Sequence, residues 1–157
     1  MRILALDLGT NSGWAFRLDD GSIKSGTVCF DYDRRIEGGG IRYLRFSAWL
    51  EEMCSVNNFD YIVFEEVRRH TATGAAHVYG GFLANLQRYC DCNNQMPYTS
   101  LPVKTIKHFV TGKGNASKDE VIQAVKERGF FPKDDNEADA IAILLCAESQ
   151  VKTGENA

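Results

Sequence analysis

The chain has 157 residues, of which 44% are hydrophobic and 25% are charged, and its formal net charge is −3. This length fits one domain, and the composition is that of an ordinary globular protein. No apolar run approaches the roughly 20 residues that a membrane helix requires, and Asp7 interrupts the start too early for a signal peptide. The five cysteines are odd in number and lack zinc-site spacing, which favours free, mostly buried thiols. We therefore expect a cytoplasmic protein with no membrane partner.

The net charge hides an uneven distribution of basic residues. The segment from Val67 to Lys118 carries a charge of +6 and all three histidines, whereas the remainder carries −9. Such an asymmetry is typical of a protein with one basic face for a polyanion. A solvated stretch of chance composition is the alternative, because charge runs alone are not specific.

The first half of the chain is predicted to open with three antiparallel strands. Turn residues Asp19-Asp20-Gly21-Ser22 join the second and third as a hairpin. Apolar runs and helical spacing predict, in chain order, strands Arg2–Leu8, Trp14–Leu18 and Ile23–Phe30, a helix around Tyr43–Met53, a strand Tyr61–Phe64 and a helix Gly74–Tyr89. The helix Gly74–Tyr89 carries Ala76, Tyr79 and Leu83 opposite its main apolar side, so we expect apolar residues on two faces.

The second half is predicted to add one strand and three helices. They are a strand Pro97–Leu101, a helix Val103–Val110, a helix from a capping box at Ser117 to Arg128, and a last helix Glu137–Glu148 that Asn136 begins. The order predicts an α/β domain with a mixed five-stranded sheet, as in the RNase H-like fold. Residues 1–150 would form this single domain, and the polar residues 151–157 would be a frayed tail.

Three acids stand where solvated surface acids are unusual. Asp7 ends the first strand, Glu65 follows the strand Tyr61–Phe64, and Asp139 interrupts an almost wholly apolar helix. Each has an ordinary alternative: Asp7 could cap a turn at Gly9, Glu65 could end an edge strand, and Asp139 could complement its helix dipole. One shared metal site explains all three, because Mg²⁺ prefers carboxylate oxygens and paired ions cleave phosphodiesters. Asn136 precedes Asp139 by one helical turn and can share its face.

Four motifs together resemble those of one family. The motifs are Leu4-Ala5-Leu6-Asp7-Leu8-Gly9-Thr10, Tyr61-Ile62-Val63-Phe64-Glu65-Glu66-Val67, Gly112-Lys113-Gly114-Asn115-Ala116-Ser117-Lys118 and Asn136-Glu137-Ala138-Asp139-Ala140-Ile141-Ala142. In this order, from Arg2 to about Leu145, the chain resembles the RuvC-like Holliday junction resolvases. The short length and sparse loops are most similar to the bacteriophage members.

This resemblance implies a homodimeric endonuclease that resolves branched DNA, with one nick per protomer. Asp7, Glu65, Asn136 and Asp139 would bind two Mg²⁺ ions, with Mn²⁺ as an alternative, and the helix Gly74–Tyr89 would form the dimer interface. Lys107 and Lys118 fall where the family contacts the DNA backbone. The basic residues expected to contact DNA phosphates are Arg68, Arg69, Lys104, Lys107, Lys113 and Lys118.

Two departures from the family pattern bear on the site. Asn136 replaces the usual fourth acid, and Asp135 could serve in its place. The position of the family's aromatic wedge falls near Arg68, so the cleavage preference is open. Two other functions are compatible with the residues. One is a single-lobe relative of actin-like ATPases, suggested by the loop after Asp7, and the other is a branched-DNA binder without catalysis.

Overall fold

The computed structural model describes residues 1–68, 72–93 and 95–154. The strands are β1 (Ile3–Asp7), β2 (Asn11–Arg17), β3 (Ile23–Cys29), β4 (Tyr61–Glu66) and β5 (Tyr98–Pro102). The helices are α1 (Ile41–Asn57), α2 (Thr73–Cys92), α3 (Val103–Thr111), α4 (Lys118–Glu127) and α5 (Asp135–Thr153). Every predicted strand and helix is present, with boundaries that differ by a few residues.

The five strands form one mixed sheet in the order β3-β2-β1-β4-β5. β1, β2 and β3 pair antiparallel, and β4 and β5 add in parallel on the other side of β1. The turn between β2 and β3 needs a positive φ of 88° at Gly21, which glycine adopts without strain. The prediction of a mixed sheet with three antiparallel strands first is therefore confirmed.

Helices cover both faces of the sheet, because successive strand residues point to opposite sides. One face packs residues such as Ala5 and Val63 against α3, α4 and α5. The other face packs residues such as Leu6 and Ile62 against α1 and α2. The two cores fix the ends of β1 and β4 between α2 on one side and α5 on the other.

A glycine allows α5 to lie close to the sheet. Gly13 on β2 pairs with Asp7 on β1. A Cβ atom at Gly13 would lie 1.9 Å from the backbone oxygen of Asn136 and 3.2 Å from the Cβ of Ala140. No side chain fits in that space, so the first turns of α5 can lie this close to β2 only because this position is a glycine. This contact brings α5 beside the end of β1.

The structure corrects the predicted ends of the last helix. Asp134, not Asn136, is the N-cap, and its side chain accepts a hydrogen bond from the Glu137 N–H. Asn136 therefore lies in the first turn. The helix continues to Thr153, so it extends three residues into the segment 151–157 that the sequence predicted to be a tail. In the described part of the chain, no helix is long and apolar enough to cross a membrane.

The predicted second apolar face of α2 is also wrong. Tyr79 is buried in the same core as Phe82 and Leu86, and Leu83 is partly buried against that core. The exposed residues of the helix include Gly80, Ala84 and Arg88, which are small or charged. A dimer through the helix Gly74–Tyr89 would have to use this small-residue surface, and it stays a prediction.

Candidate active site

Three acids and two lysines line one pocket of about 270 Å³. The acids are Asp7 from the end of β1, Glu65 from β4 and Asp139 from α5. The lysines are Lys107 from α3 and Lys118 at the start of α4. The floor and walls are apolar. The structure thus brings together the three acids that the sequence singled out.

The parallel pairing of β1 and β4 explains two of these positions. Leu6 pairs with Phe64, so the next residues along the two strands are Asp7 and Glu65. The third acid depends on α5, where Asp139 is flanked by the fully buried Ala138 and Ala140. Burial of these neighbours fixes the helix on the sheet and directs Asp139 to the same edge.

The pocket strongly disfavours three negative charges. Burial, followed by repulsion from Glu65 and Asp139, raises the pKa of Asp7 well above its ordinary value. Burial and the nearby Asp139 raise the pKa of Glu65 to about 7. Burial raises the pKa of Asp139 to about 6, against the opposing effect of Lys118. A cation placed among these carboxylates would favour their charged forms and so oppose all three shifts.

The two lysines of the pocket are held in different ways. The Lys107 ammonium donates a hydrogen bond of 2.7 Å to the backbone oxygen of Ala116. Lys118 pairs with Asp135, and this hydrogen bond raises the pKa of Lys118 and lowers that of Asp135. The predicted capping box places Lys118 at the first position of α4. Both lysines therefore stand at the edge of the acidic pocket with fixed positions.

The sequence suggested Asn136 or Asp135 as the fourth metal ligand, and the structure places both outside the lining of the pocket. Asn136 is partly buried and its backbone oxygen lies over Gly13. Asp135 is engaged with Lys118, although its charge still contributes to the raised pKa of Asp139.

The other described basic residues that were predicted to bind DNA lie outside the pocket. Lys104 lines a separate groove between α3 and α5. Lys113 pairs with Glu120 at 2.9 Å, and Arg68 pairs with Glu66 at 3.0 Å. Arg69 lies outside the described residues. Of the predicted residues that the structure describes, only Lys107 and Lys118 line the acidic pocket.

One residue that supports the site was missed from the sequence. The Tyr79 hydroxyl donates a hydrogen bond of 2.9 Å to the backbone oxygen of Glu65 and accepts one from the Val67 N–H. These contacts tie α2 to the end of β4. In the sequence Tyr79 was one apolar position of a helix, and nothing marked its hydroxyl as a partner of the strand.

The donor set of the pocket fits a hard divalent cation. Among residues 1–68, 72–93 and 95–154, no three His, Cys, Asp or Glu side chains are arranged so that they could hold one ion together. Mg²⁺ does not need three, because it usually binds one or two carboxylates and keeps several waters. The pocket offers carboxylate oxygens whose charges repel one another, which is the chemistry such an ion satisfies.

The mixed five-stranded sheet with helices on both faces is that of the RNase H-like fold. The *Thermus thermophilus* RuvC solved with a Holliday junction substrate superposes with a TM-score of 0.79 and 21% identity over 98% of this chain and 96% of that chain. A yeast mitochondrial Holliday junction resolvase superposes with a TM-score of 0.65 and 16% identity over 99% of this chain and 82% of that chain. The predicted fold is thus confirmed.

Sequence relatives place the chain within this fold. A crossover junction endodeoxyribonuclease RuvC of *Synechococcus* is 30% identical over 94% of this chain and 97% of the relative. That of a *Prochlorococcus marinus* strain is 33% identical over 85% of this chain and 80% of the relative. No protein-family model matches the chain. The chain belongs to the RuvC family of crossover junction endodeoxyribonucleases, as the four motifs predicted. The closer resemblance to bacteriophage members stays a prediction.

Proposed function

We propose that the protein is a metal-dependent endonuclease that nicks branched DNA, with the four-way junction as its main substrate. The observation that carries the proposal is the pocket in which Asp7, Glu65 and Asp139 converge between Lys107 and Lys118. Relatives over nearly the whole chain are named crossover junction endodeoxyribonucleases, which supports the same reaction.

The metal ligands would be Asp7, Glu65 and Asp139, and Asn136, which does not line the pocket, would be a neutral fourth ligand from the first turn of α5. This set would hold two Mg²⁺ ions, and Mn²⁺ would bind the same oxygens. When bound, such ions supply an activated water and stabilise the leaving oxygen. Asp7 stands beside Glu65 across the strand pair, so these two acids would hold a cation together.

The chain's own residues would perform three tasks around the scissile phosphate. The acids fix the cations, and the raised pKa of Glu65 and Asp139 means that cations and protons compete for them near neutral pH. Lys107 and Lys118 offset the charge of the phosphate at the pocket edge. The buried core beneath the pocket keeps the carboxylates in place. No side-chain nucleophile is required.

The DNA would follow the basic segment outward from the pocket. Lys107 and Lys118 would contact the phosphates nearest the cut, and Lys104 would contact a more distant one. Arg68 and Lys113 would exchange their carboxylate partners for phosphates, and Arg69 would join them. A homodimer through the helix Gly74–Tyr89 would supply one nick per protomer on a two-fold substrate.

The direct test replaces each acid of the pocket by its amide. We expect Asp7→Asn, Glu65→Gln and Asp139→Asn to abolish cleavage of a synthetic four-way junction in Mg²⁺, with binding unchanged or tighter. Glu66→Gln is the matched control, because Glu66 pairs with Arg68 and does not line the pocket. Near-normal cleavage by any folded pocket variant would contradict the proposal.

The same assay separates the alternative functions. A protein that binds the junction but never cuts it, in Mg²⁺ or Mn²⁺, would be a branched-DNA binder without catalysis. Nucleotide binding measured by calorimetry would support the actin-like alternative.

A further inference from the structure

A second cavity, of about 510 Å³, adjoins the acidic pocket, and its lining includes two arginines, Arg34 and Arg42. Its wall includes Gly9 and Thr10, which follow Asp7 after only Leu8, and Val67, which also lines the acidic pocket. The two cavities therefore share a wall. A polymer bound in one would pass beside the other.

A buried arginine forms part of this cavity. Arg42 on α1 is only 6% exposed, whereas the other buried residues of that helix are Phe46, Leu50 and Cys54. Its Nε has no hydrogen-bond partner among the described residues. Nη1 reaches the Thr10 hydroxyl at a long 3.3 Å, and the guanidinium lies 4.7 Å from the Tyr32 ring centroid. No ion pair in the described part of the chain includes Arg42.

Such a buried cation costs free energy unless a counter-charge meets it. The stacking on Tyr32 satisfies a face of the guanidinium but accepts no N–H. The Thr10 hydroxyl takes one donor weakly. The donors that remain match an oxyanion, since a guanidinium fork binds phosphate or carboxylate oxygens.

Two further features of the cavity favour an anion. The first turn of α2 borders it at Gly74 and Ala75, the N-cap Ala72 provides no side-chain acceptor, and that turn contains no acid. The N–H groups of a first turn lack partners within their helix and attract anions. Arg34 also lines the cavity, and Asp31 is the one carboxylate opposite these groups among the described lining residues.

We propose that this cavity is a phosphate subsite that holds a backbone phosphate of the DNA strand next to the one being cut, with Arg42 as its main ligand. The inference rests on the proposed function. A strand with its scissile phosphate over the acids carries further phosphates on both sides, and one of them would meet Arg42 across the wall at Val67. The subsite would fix the register of the strand.

The test combines a charge deletion in the DNA with one in the protein. Four-way junctions carry a single neutral methylphosphonate at one of the positions flanking the scissile phosphate, and binding is measured without metal so that no strand is cut. We expect Arg42→Met to weaken binding of the unmodified junction about tenfold. The dependence of log affinity on log salt should become shallower by about 0.9. At one position, the methylphosphonate should weaken binding by wild type. The same methylphosphonate should cause no further loss of affinity in Arg42→Met.

The matched control is Arg45→Met, because Arg45 lies one turn along the same helix and pairs with Glu37. Each methylphosphonate should reduce the junction affinity of Arg45→Met by the same factor as that of wild type. Methionine retains most of the volume of the arginine stem, and thermal unfolding checks the fold of each variant. If Arg42→Met fails to fold, Arg42→Lys replaces it, which keeps the charge and loses the fork geometry.

Titration with inorganic phosphate distinguishes a DNA phosphate from a free anion as the ligand of the cavity. Together with the junction assays, it also separates failure of the subsite proposal from failure of the nuclease proposal. If wild type cuts junctions but no methylphosphonate position couples to Arg42, the subsite proposal is overturned while the nuclease stands. Stabilisation by free phosphate alone, without coupling to DNA, also overturns it. If wild type neither binds nor cuts junctions, the nuclease fails. In that case the proposal of an anion site holds only if inorganic phosphate raises the Tm of wild type and Arg45→Met but not that of Arg42→Met.

Discussion

We expect Glu65→Gln and Asp139→Asn to stabilise the metal-free protein at pH 8, although both should abolish cleavage. The reason is the raised pKa of each carboxyl, which is caused first by burial. A carboxyl whose pKa is higher in the folded state is charged in both states at pH 8, and its charge then disfavours folding. The amide has a similar shape and carries no charge, so the penalty disappears.

The magnitude follows from the pKa values. For Glu65, the difference between about 7 and the ordinary 4.5 corresponds to roughly 3 kcal/mol. For a chain of this size, such a change shifts Tm by about 5 to 10 °C. The penalty is complete above pH 7 and falls as the folded protein takes up a proton between pH 7 and pH 4.5. The advantage of Glu65→Gln should therefore be small at pH 5.

The assay is urea unfolding of wild type and variants in a chelator, at pH 8 and pH 5. Glu66→Gln is the control, and we expect it to change stability by less than about 1 kcal/mol, because it removes only a partly exposed ion pair. Added Mg²⁺ should stabilise wild type and so reduce the difference in unfolding free energy between wild type and the pocket variants at pH 8. Variants no more stable than wild type in chelator at pH 8 would refute the reasoning.

Three further changes probe the groups around the pocket. Gly13→Ala should cost about 1 to 3 kcal/mol in urea unfolding and slow cleavage, because its Cβ would collide with the Asn136 backbone; an unchanged rate would show that α5 need not lie so close. Asn136→Asp should lower the Mg²⁺ concentration for half-maximal cleavage, whereas a higher requirement, or an Asn136→Ala variant like wild type, would place Asn136 away from the metal. Tyr79→Phe should cost about 1 kcal/mol and reduce cleavage more than binding, since it frees the end of β4; equal loss of both would contradict a role at Glu65.

The acids of the site could be predicted because each one conflicts with its surroundings in the sequence. Asp7 and Glu65 end apolar strands, and Asp139 lies among Ala and Ile residues, so burial was expected and a shared cause was economical. The mixed sheet with three antiparallel strands first followed from the hairpin and from the later order of strands and helices. The apolar pattern of the sequence and the chemistry of these residues were therefore enough to predict the three acids and the mixed sheet.

The start of α5 could not be predicted in the same way. Asp134, Asp135 and Asn136 are all good N-caps by residue type. The Thr27 hydroxyl on β3 donates a hydrogen bond of 2.6 Å to Asp134, so a tertiary contact accompanies the cap that forms. The same limit applied to Lys113, whose carboxylate partner lies on α4, and to Tyr79, whose hydroxyl reaches the strand only through helix packing.

Cleavage of four-way, three-way and linear DNA side by side in Mg²⁺ tests the central claim most directly. We expect paired nicks at symmetric positions of the four-way junction and much slower cleavage of the linear duplex. We also expect no cleavage of any substrate by Asp7→Asn. Equal cleavage of the linear duplex, or binding of the junction by wild type without a nick in either Mg²⁺ or Mn²⁺, would contradict it.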